Sequence, residues 1–317
     1  MRVLVYLNWP ARCFRACADD IAFLKGLLPR RAEVVVVKSD AAFLRELPTA
    51  SHVITWHFRR EWYESAKKLR VLATPSAGRE LINQDAPSGV QIHFGHFHGA
   101  IISEAVVGFI LAWAHGFFAV RAYAGYGGQT KPTIPDWPRA ELGADCYAVA
   151  GTRAAVVGYG HIGRTIGEKL AALGVQVKGY RRANISELDA DLKNIDWLVL
   201  ALPGDTGTDN LLSKARLATL PRRAVVINIG RGNAIDEDAL LAALRSRRLA
   251  AAYLDVFQNE PSTCLIGSDP IRQVRGRILG TDPIALPTNL IRMPHSSAFS
   301  RDYLKRCFKE LKDDGCL

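Results

Sequence analysis

"VVGYGHIGRTIGEKLAALGVQVKGYRR", residues 156–182, decides how the chain is to be read. A β-branched run leads into Gly158, Gly160 and Gly163, spaced G-x-G-x-x-G, and an amphipathic stretch follows before a second β-rich run at 176–180. Each glycine answers a separate steric demand. The first permits a tight turn, the second lets a pyrophosphate approach the backbone, and the third lets helix pack closely on strand. A helix opening at His161 and Ile162 aims free N–H groups and the positive end of its dipole at the phosphates. A lone glycine-rich turn is weak, but strand, turn, helix and strand in this order mark a dinucleotide-binding unit.

About 20 residues past such a turn, an acid ordinarily holds the ribose hydroxyls of the adenosine half. Arg181 and Arg182 stand there instead. An acid would repel a 2′-phosphate, whereas the fork of Arg181 pairs with one and its plane can lie over the adenine. Two solvated arginines after a strand would explain the charge but not the missing acid. The expected cofactor is therefore NADP(H), with NAD(H) as the alternative.

The chain has 317 residues, 49% hydrophobic and 23% charged, the balance of a soluble protein with a substantial core. Its 41 Lys and Arg against 31 Asp and Glu give a formal charge of +10, which favours anionic ligands. The basic residues are dispersed in pairs such as Arg59-Arg60 and Arg247-Arg248, so no nucleic-acid partner is expected. Scattered cysteines fit the reduced thiols of a cytoplasmic protein. The apolar opening run is too short for a signal peptide. The most apolar segment, 100–120, is broken by Ser103, Glu104 and His115, so a buried helix is expected there and no membrane span.

Short β-branched runs alternate with helical patterns on both sides of a Gly- and Pro-rich connector at 124–143, which predicts parallel sheets covered by helices. Strands are expected at 3–6, 33–37, 52–55, 71–73 and 90–94, then at 154–157, 176–180, 197–202, 225–228 and 251–254. Helices are expected at 17–27, 41–46, 102–120, 162–173, 213–220 with Ser213 as N-cap, 237–245 and 300–312. Residues 261–294, rich in Pro, Gly and Arg, read as a long loop.

Three later segments carry acid–base candidates. VINIGRGNAID puts Arg231 just past a strand, in the crevice where open parallel sheets bind ligands. LDVFQNEP carries Asp255 and Glu260, and MPHSSAFS carries His295. Taken singly, these read as a strand cap, a loop acid and a structural histidine. Their order behind a dinucleotide cradle points to catalysis.

From GYGHIG through ALPGDTGTDNLL, INIGRG, ALLAALRSRRLAAAYLDVFQNEP and PHSSA, the chain resembles the D-isomer-specific 2-hydroxyacid dehydrogenase family. TPSAG at 74–78 and HGAIISEAVVGFILA from His98 resemble its substrate loop and interdomain helix. The resemblance implies an α/β fold of two Rossmann-like, doubly wound parallel-sheet domains with a cleft between them. Residues 1–98 plus 295–317 would form the substrate domain and 99–294 the dinucleotide domain. It implies that Arg231 binds the carboxylate and carbonyl of a 2-oxoacid, that His295 protonates the carbonyl oxygen, and that Glu260 holds and charges His295. Asp255 would lie near the carboxamide, Pro203 and Thr208 along the cofactor, and the N–H groups of Ala77 and Gly78 at the substrate carboxylate. A homodimer is implied as well, with Trp137 near its interface. The chemistry stands without the family: hydride addition develops negative charge on oxygen, and a proton donor near neutral pKa is needed there.

The expected activity is NADPH-preferring reduction of a small 2-oxoacid, glyoxylate or hydroxypyruvate, to the D-2-hydroxyacid. Alternatives are a nucleotide-sensing corepressor on the same fold, another NAD(P)-dependent 2-hydroxyacid dehydrogenase, and a formate or phosphite dehydrogenase. The last is disfavoured because both commonly prefer NAD. The segment between Glu260 and His295 exceeds the family's usual link and contains an insertion. His93, His96 and His98 in IHFGHFHG show no accompanying carboxylate or cysteine pattern, so no metal is expected.

Overall fold

A computed structural model describes residues 1–118, 146–258, 260 and 289–317. The connector at 124–143, Trp137 and most of the expected long loop lie outside the described residues. The chain divides into two units, the first holding 1–101, 260 and 298–317, the second 102–118, 146–258 and 289–297 of the described residues.

The first unit is built on β1 (Arg2–Tyr6), β2 (Glu33–Val36), β3 (His52–Thr55), β4 (Val71–Thr74) and β5 (Gln91–Phe94), all parallel and ordered β2-β1-β3-β4-β5. That order reverses at β1, and crevices at such reversals, outside the strands' carboxyl ends, are where open α/β sheets bind ligands. Helices α1 (Ala18–Leu27) and α2 (Asp40–Glu46) connect the early strands; Ser39 caps α2 by accepting the Ala42 N–H. Helix α3 (His98–Ala114) starts earlier than its apolar run suggests and stops before Gly116, which sits at φ +69°, a conformation that ends helices.

The second unit holds β6 (Arg153–Val157), α4 (His161–Ala172), β7 (Gln176–Tyr180), α5 (Leu188–Asp191), β8 (Trp197–Leu200), α6 (Lys214–Thr219), β9 (Val225–Asn228), α7 (Glu237–Arg245), β10 (Ala251–Leu254) and β11 (Leu290–Arg292). Its strands are parallel in the order β11-β10-β9-β8-β6-β7. Every residue of β8, β9 and β10 is buried, as continuous apolar runs require when both sheet faces are covered. Helix α4 buries Gly163, Ile166, Gly167 and Leu170 on one stripe. Ser213 caps α6 as expected, accepting the Arg216 N–H.

Helix α8 (Tyr303–Asp313) closes the chain on the first sheet. Tyr303, Leu304, Cys307, Phe308 and Leu311 join Val3, Val5, Ile54 and Ala73 in one apolar cluster. Among the described residues no helix is long and apolar enough to cross a membrane.

Two expectations need correction. The segment 261–294 is not loop throughout: Leu290–Arg292 pairs with β10, a strand of three residues that is too short for periodicity to reveal. Two of the histidines of IHFGHFHG, His93 and His96, do have carboxylates beside them, supplied by Glu310 and Asp314 of the closing helix and its C-cap. Sequence separation of more than 200 residues hides that pairing.

Candidate active site

The carboxyl edge of the second sheet gathers the candidates strand by strand. The glycine turn follows β6 at the point where strand order reverses, between β8 and β7. Gly158 takes φ +90°, and a Cβ there would overlap the carbonyl of Ala201. Gly160, by contrast, faces open space, with no atom within 4 Å of a Cβ placed there. It caps α4 without offering a side chain to the first turn, so the helix end at His161 and Ile162 is shaped to take an external anion. Gly163 packs against the backbone of Gly158, tying the helix start to the strand end.

Arg181 follows β7 next to this turn. Its Nε donates to the Tyr159 carbonyl at 2.8 Å, and its N–H donates to Asn184 Oδ1 at 2.7 Å. The guanidinium is thereby held at the rim of the cradle. Arg182 is 88% exposed by side chain and meets Asp205 at 3.5 Å, which leaves Arg181 the better placed of the pair to meet a phosphate. After β8, Pro203 is exposed and Thr208 buried; Thr208 Oγ1 lies 2.9 Å from the Pro203 carbonyl and 2.7 Å from that of Asp205, folding the loop on itself.

Arg231 follows β9 between two crowded glycines. A Cβ on Gly232 would collide with the backbone of Phe257. Asn228 fixes both sides, accepting the Gly230 N–H at 3.1 Å and donating to the Arg231 carbonyl at 3.0 Å. The Arg231 side chain runs past Gly204, and its Nη1 donates to the Gly230 carbonyl at 2.9 Å. Gly232→Ala is expected to lower unfolding free energy by roughly 2–3 kcal/mol in urea titration, because backbone cannot give way as a flexible side chain can. A loss under about 0.5 kcal/mol would show that Phe257 moves aside freely.

Asp255 follows β10 and is 3% exposed. Its Oδ1 accepts the Ser296 N–H at 2.7 Å, its Oδ2 accepts the Ser297 N–H at 3.0 Å, and its carbonyl accepts the His295 N–H at 2.9 Å. Its carboxylate is thus committed to the turn that carries His295. That turn is costly to hold, since His295 is exposed and sits at φ +52°, where side-chain-bearing residues are uncommon. Tyr253, whose phenol is pushed up by burial, places its hydroxyl 2.7 Å from Ser297 Oγ and buttresses the turn from below.

In the first unit, Ala77 is exposed in the loop after β4. The Gly78 N–H donates to Ser76 Oγ at 3.1 Å. Glu260 is half-buried and falls with this first unit, not with the sheet that carries His295. Sequence reasoning missed Asn184, Asn228 and Tyr253. Asn228 lies inside the INIGRG motif that singled out Arg231, and its side chain is the signal that the turn needs a clamp.

The pattern has counterparts. Residues 116–296 match the family profile described as "D-isomer specific 2-hydroxyacid dehydrogenase, NAD binding domain". The 2-ketogluconate reductase of Gluconobacter oxydans is 28% identical over 213 residues, 64% of this chain and 66% of its own length. The glyoxylate/hydroxypyruvate reductase B of Klebsiella pneumoniae is 28% identical over 294 residues, covering 88% of this chain and 76% of the relative. A D-isomer specific 2-hydroxyacid dehydrogenase from Lactobacillus delbrueckii ssp. bulgaricus, solved in its NAD-complexed form, superposes with a TM-score of 0.74 at 17% identity. That match covers 100% of this chain and 96% of that one.

Proposed function

Because the chain belongs to the D-isomer specific 2-hydroxyacid dehydrogenase family, we propose that it reduces a small 2-oxoacid, glyoxylate or hydroxypyruvate, to the D-2-hydroxyacid with NADPH. One observation carries the reading. Arg231 and the turn bearing His295 emerge at the carboxyl edge of the same parallel sheet as the glycine cradle, on the far side of it from Arg181. The open face at Gly160, the uncapped start of α4 and the tethered Arg181 together suit a phosphorylated dinucleotide.

When bound, the reduced nicotinamide supplies a hydride to the substrate's carbonyl carbon. The chain's own residues do the rest. Arg231 pairs with the substrate carboxylate through its fork and sets the carbonyl in place. His295 gives its proton to the carbonyl oxygen as negative charge grows there, so carbon gains a hydride, oxygen gains a proton, and the C=O becomes a CH–OH. Asp255 acts by holding His295. The enzyme works as a homodimer in this reading.

The test is consumption of NADPH and of NADH with a panel of 2-oxoacids. Turnover of glyoxylate or hydroxypyruvate, faster with NADPH, is expected; no turnover with either cofactor would overturn the proposal. Arg181→Asp should shift the NADPH/NADH ratio of kcat/KM towards NADH by at least about tenfold, since it removes a charge-assisted pair and adds repulsion. An unchanged ratio would remove Arg181 from cofactor choice.

A further inference from the structure

We propose that His93, His96, Glu310 and Asp314 form a binding site for a first-row transition dication, Zn²⁺ foremost. One ligand atom from each lies within 4.8 Å of all the others. His93 belongs to β5 and His96 to the turn just after it. Glu310 and Asp314, four residues apart, share one face at the end of α8. His93 Nε2 stands 3.1 Å from Glu310 Oε1, His96 Nδ1 3.0 Å from Glu310 Oε2, and His96 Nε2 2.9 Å from Asp314 Oδ2. Donors on a tetrahedral Zn²⁺ lie roughly 3.3 Å apart, so the widest pair here has at most about 1.5 Å to close.

Charge and donor type select the occupant. With both imidazoles neutral the cluster holds two carboxylates, and Glu310 is only 8% exposed. A dication placed among them is matched by the charge of the two carboxylates. Two imidazole nitrogens disfavour Mg²⁺ and Ca²⁺, which seek oxygen, and suit Zn²⁺ and its neighbours.

The frame is also preorganised. Glu310 accepts the His96 N–H at 3.0 Å, which fixes the carboxylate before any ion arrives. Gly95, between the two histidines, donates its N–H towards the Thr74 and Ser76 carbonyls, 3.0 Å from each, and a Cβ on it would collide with Pro75. The histidine turn is thus fastened to the loop carrying Ala77 and Gly78, and an ion here braces that loop against the closing helix.

The full-length chain, dialysed against a chelator, is titrated with ZnCl₂ by calorimetry and with CoCl₂ by visible absorption. One Zn²⁺ per chain is expected, and at about 100-fold excess over Kd it should raise Tm by roughly 5 °C, which MgCl₂ does not do. Co²⁺ should give tetrahedral d–d bands without sulfur charge transfer. The double substitution His96→Ala and Asp314→Asn, at side chains 52% and 38% exposed, should weaken Zn²⁺ on the order of 100-fold while leaving the fold intact. Absence of saturable binding, equal binding by the double variant, or a thiolate charge-transfer band would each overturn the site.

Discussion

Replacing His295 by Asn should lower kcat for 2-oxoacid reduction by about 10²–10⁴-fold, the span ordinarily supplied by a positioned general acid. The choice of Asn matters. His295 sits at φ +52°, and Asn tolerates that left-handed region better than most side chains, so the substitution removes the acid without adding backbone strain. The Asp255 clamp acts on the main chain of residues 295–297, which Asn leaves unaltered. NADPH affinity, measured by fluorescence titration, should therefore change little while turnover collapses. Turnover within a few-fold of wild type would remove His295 from the reaction, and loss of NADPH binding in parallel would show that the turn had moved instead.

The second large effect is expected at Arg231. Arg231→Gln should reduce kcat/KM by about 10³-fold, with KM raised and kcat lowered together. Loss of the charge weakens carboxylate binding, and loss of the fork lets the carbonyl drift from its reacting position. Arg231→Lys separates the two, since it restores the charge but not the bidentate geometry. It should recover part of KM and little of kcat. A Lys variant with wild-type kcat would mean that Arg231 only attracts substrate and does not orient it. Because Asn228 and the flanking glycines hold the Arg231 backbone, neither change should disturb the strand end that carries it.

Both sheets were legible from sequence for a local reason. Runs such as WLVL and the VVI of VVIN are continuous and apolar because both their faces are covered, and the turn after β6 carries its own glycines. What escaped depends on contacts between distant segments or on too few residues. β11 has three residues, below any detectable period. The carboxylates beside His93 and His96 come from the far end of the chain. Nothing in the letters PHSS demands a left-handed His295; that conformation is imposed by Asp255, 41 residues upstream of Ser296. The candidates Arg181 and Arg231 were visible as letters, whereas the bonds that aim them, to Tyr159 and Gly230, became visible only in three dimensions.

The 41-position separation of Asp255 and Ser296 also bears on how His295 is placed. Both ends of the excursion are nailed to one place: Ala252 pairs with Leu290, Leu254 with Arg292, and Asp255 grips the backbone beyond. The place of His295 is therefore set from both sides by described residues, the β10–β11 pairing before it and the Asp255 carboxylate after it.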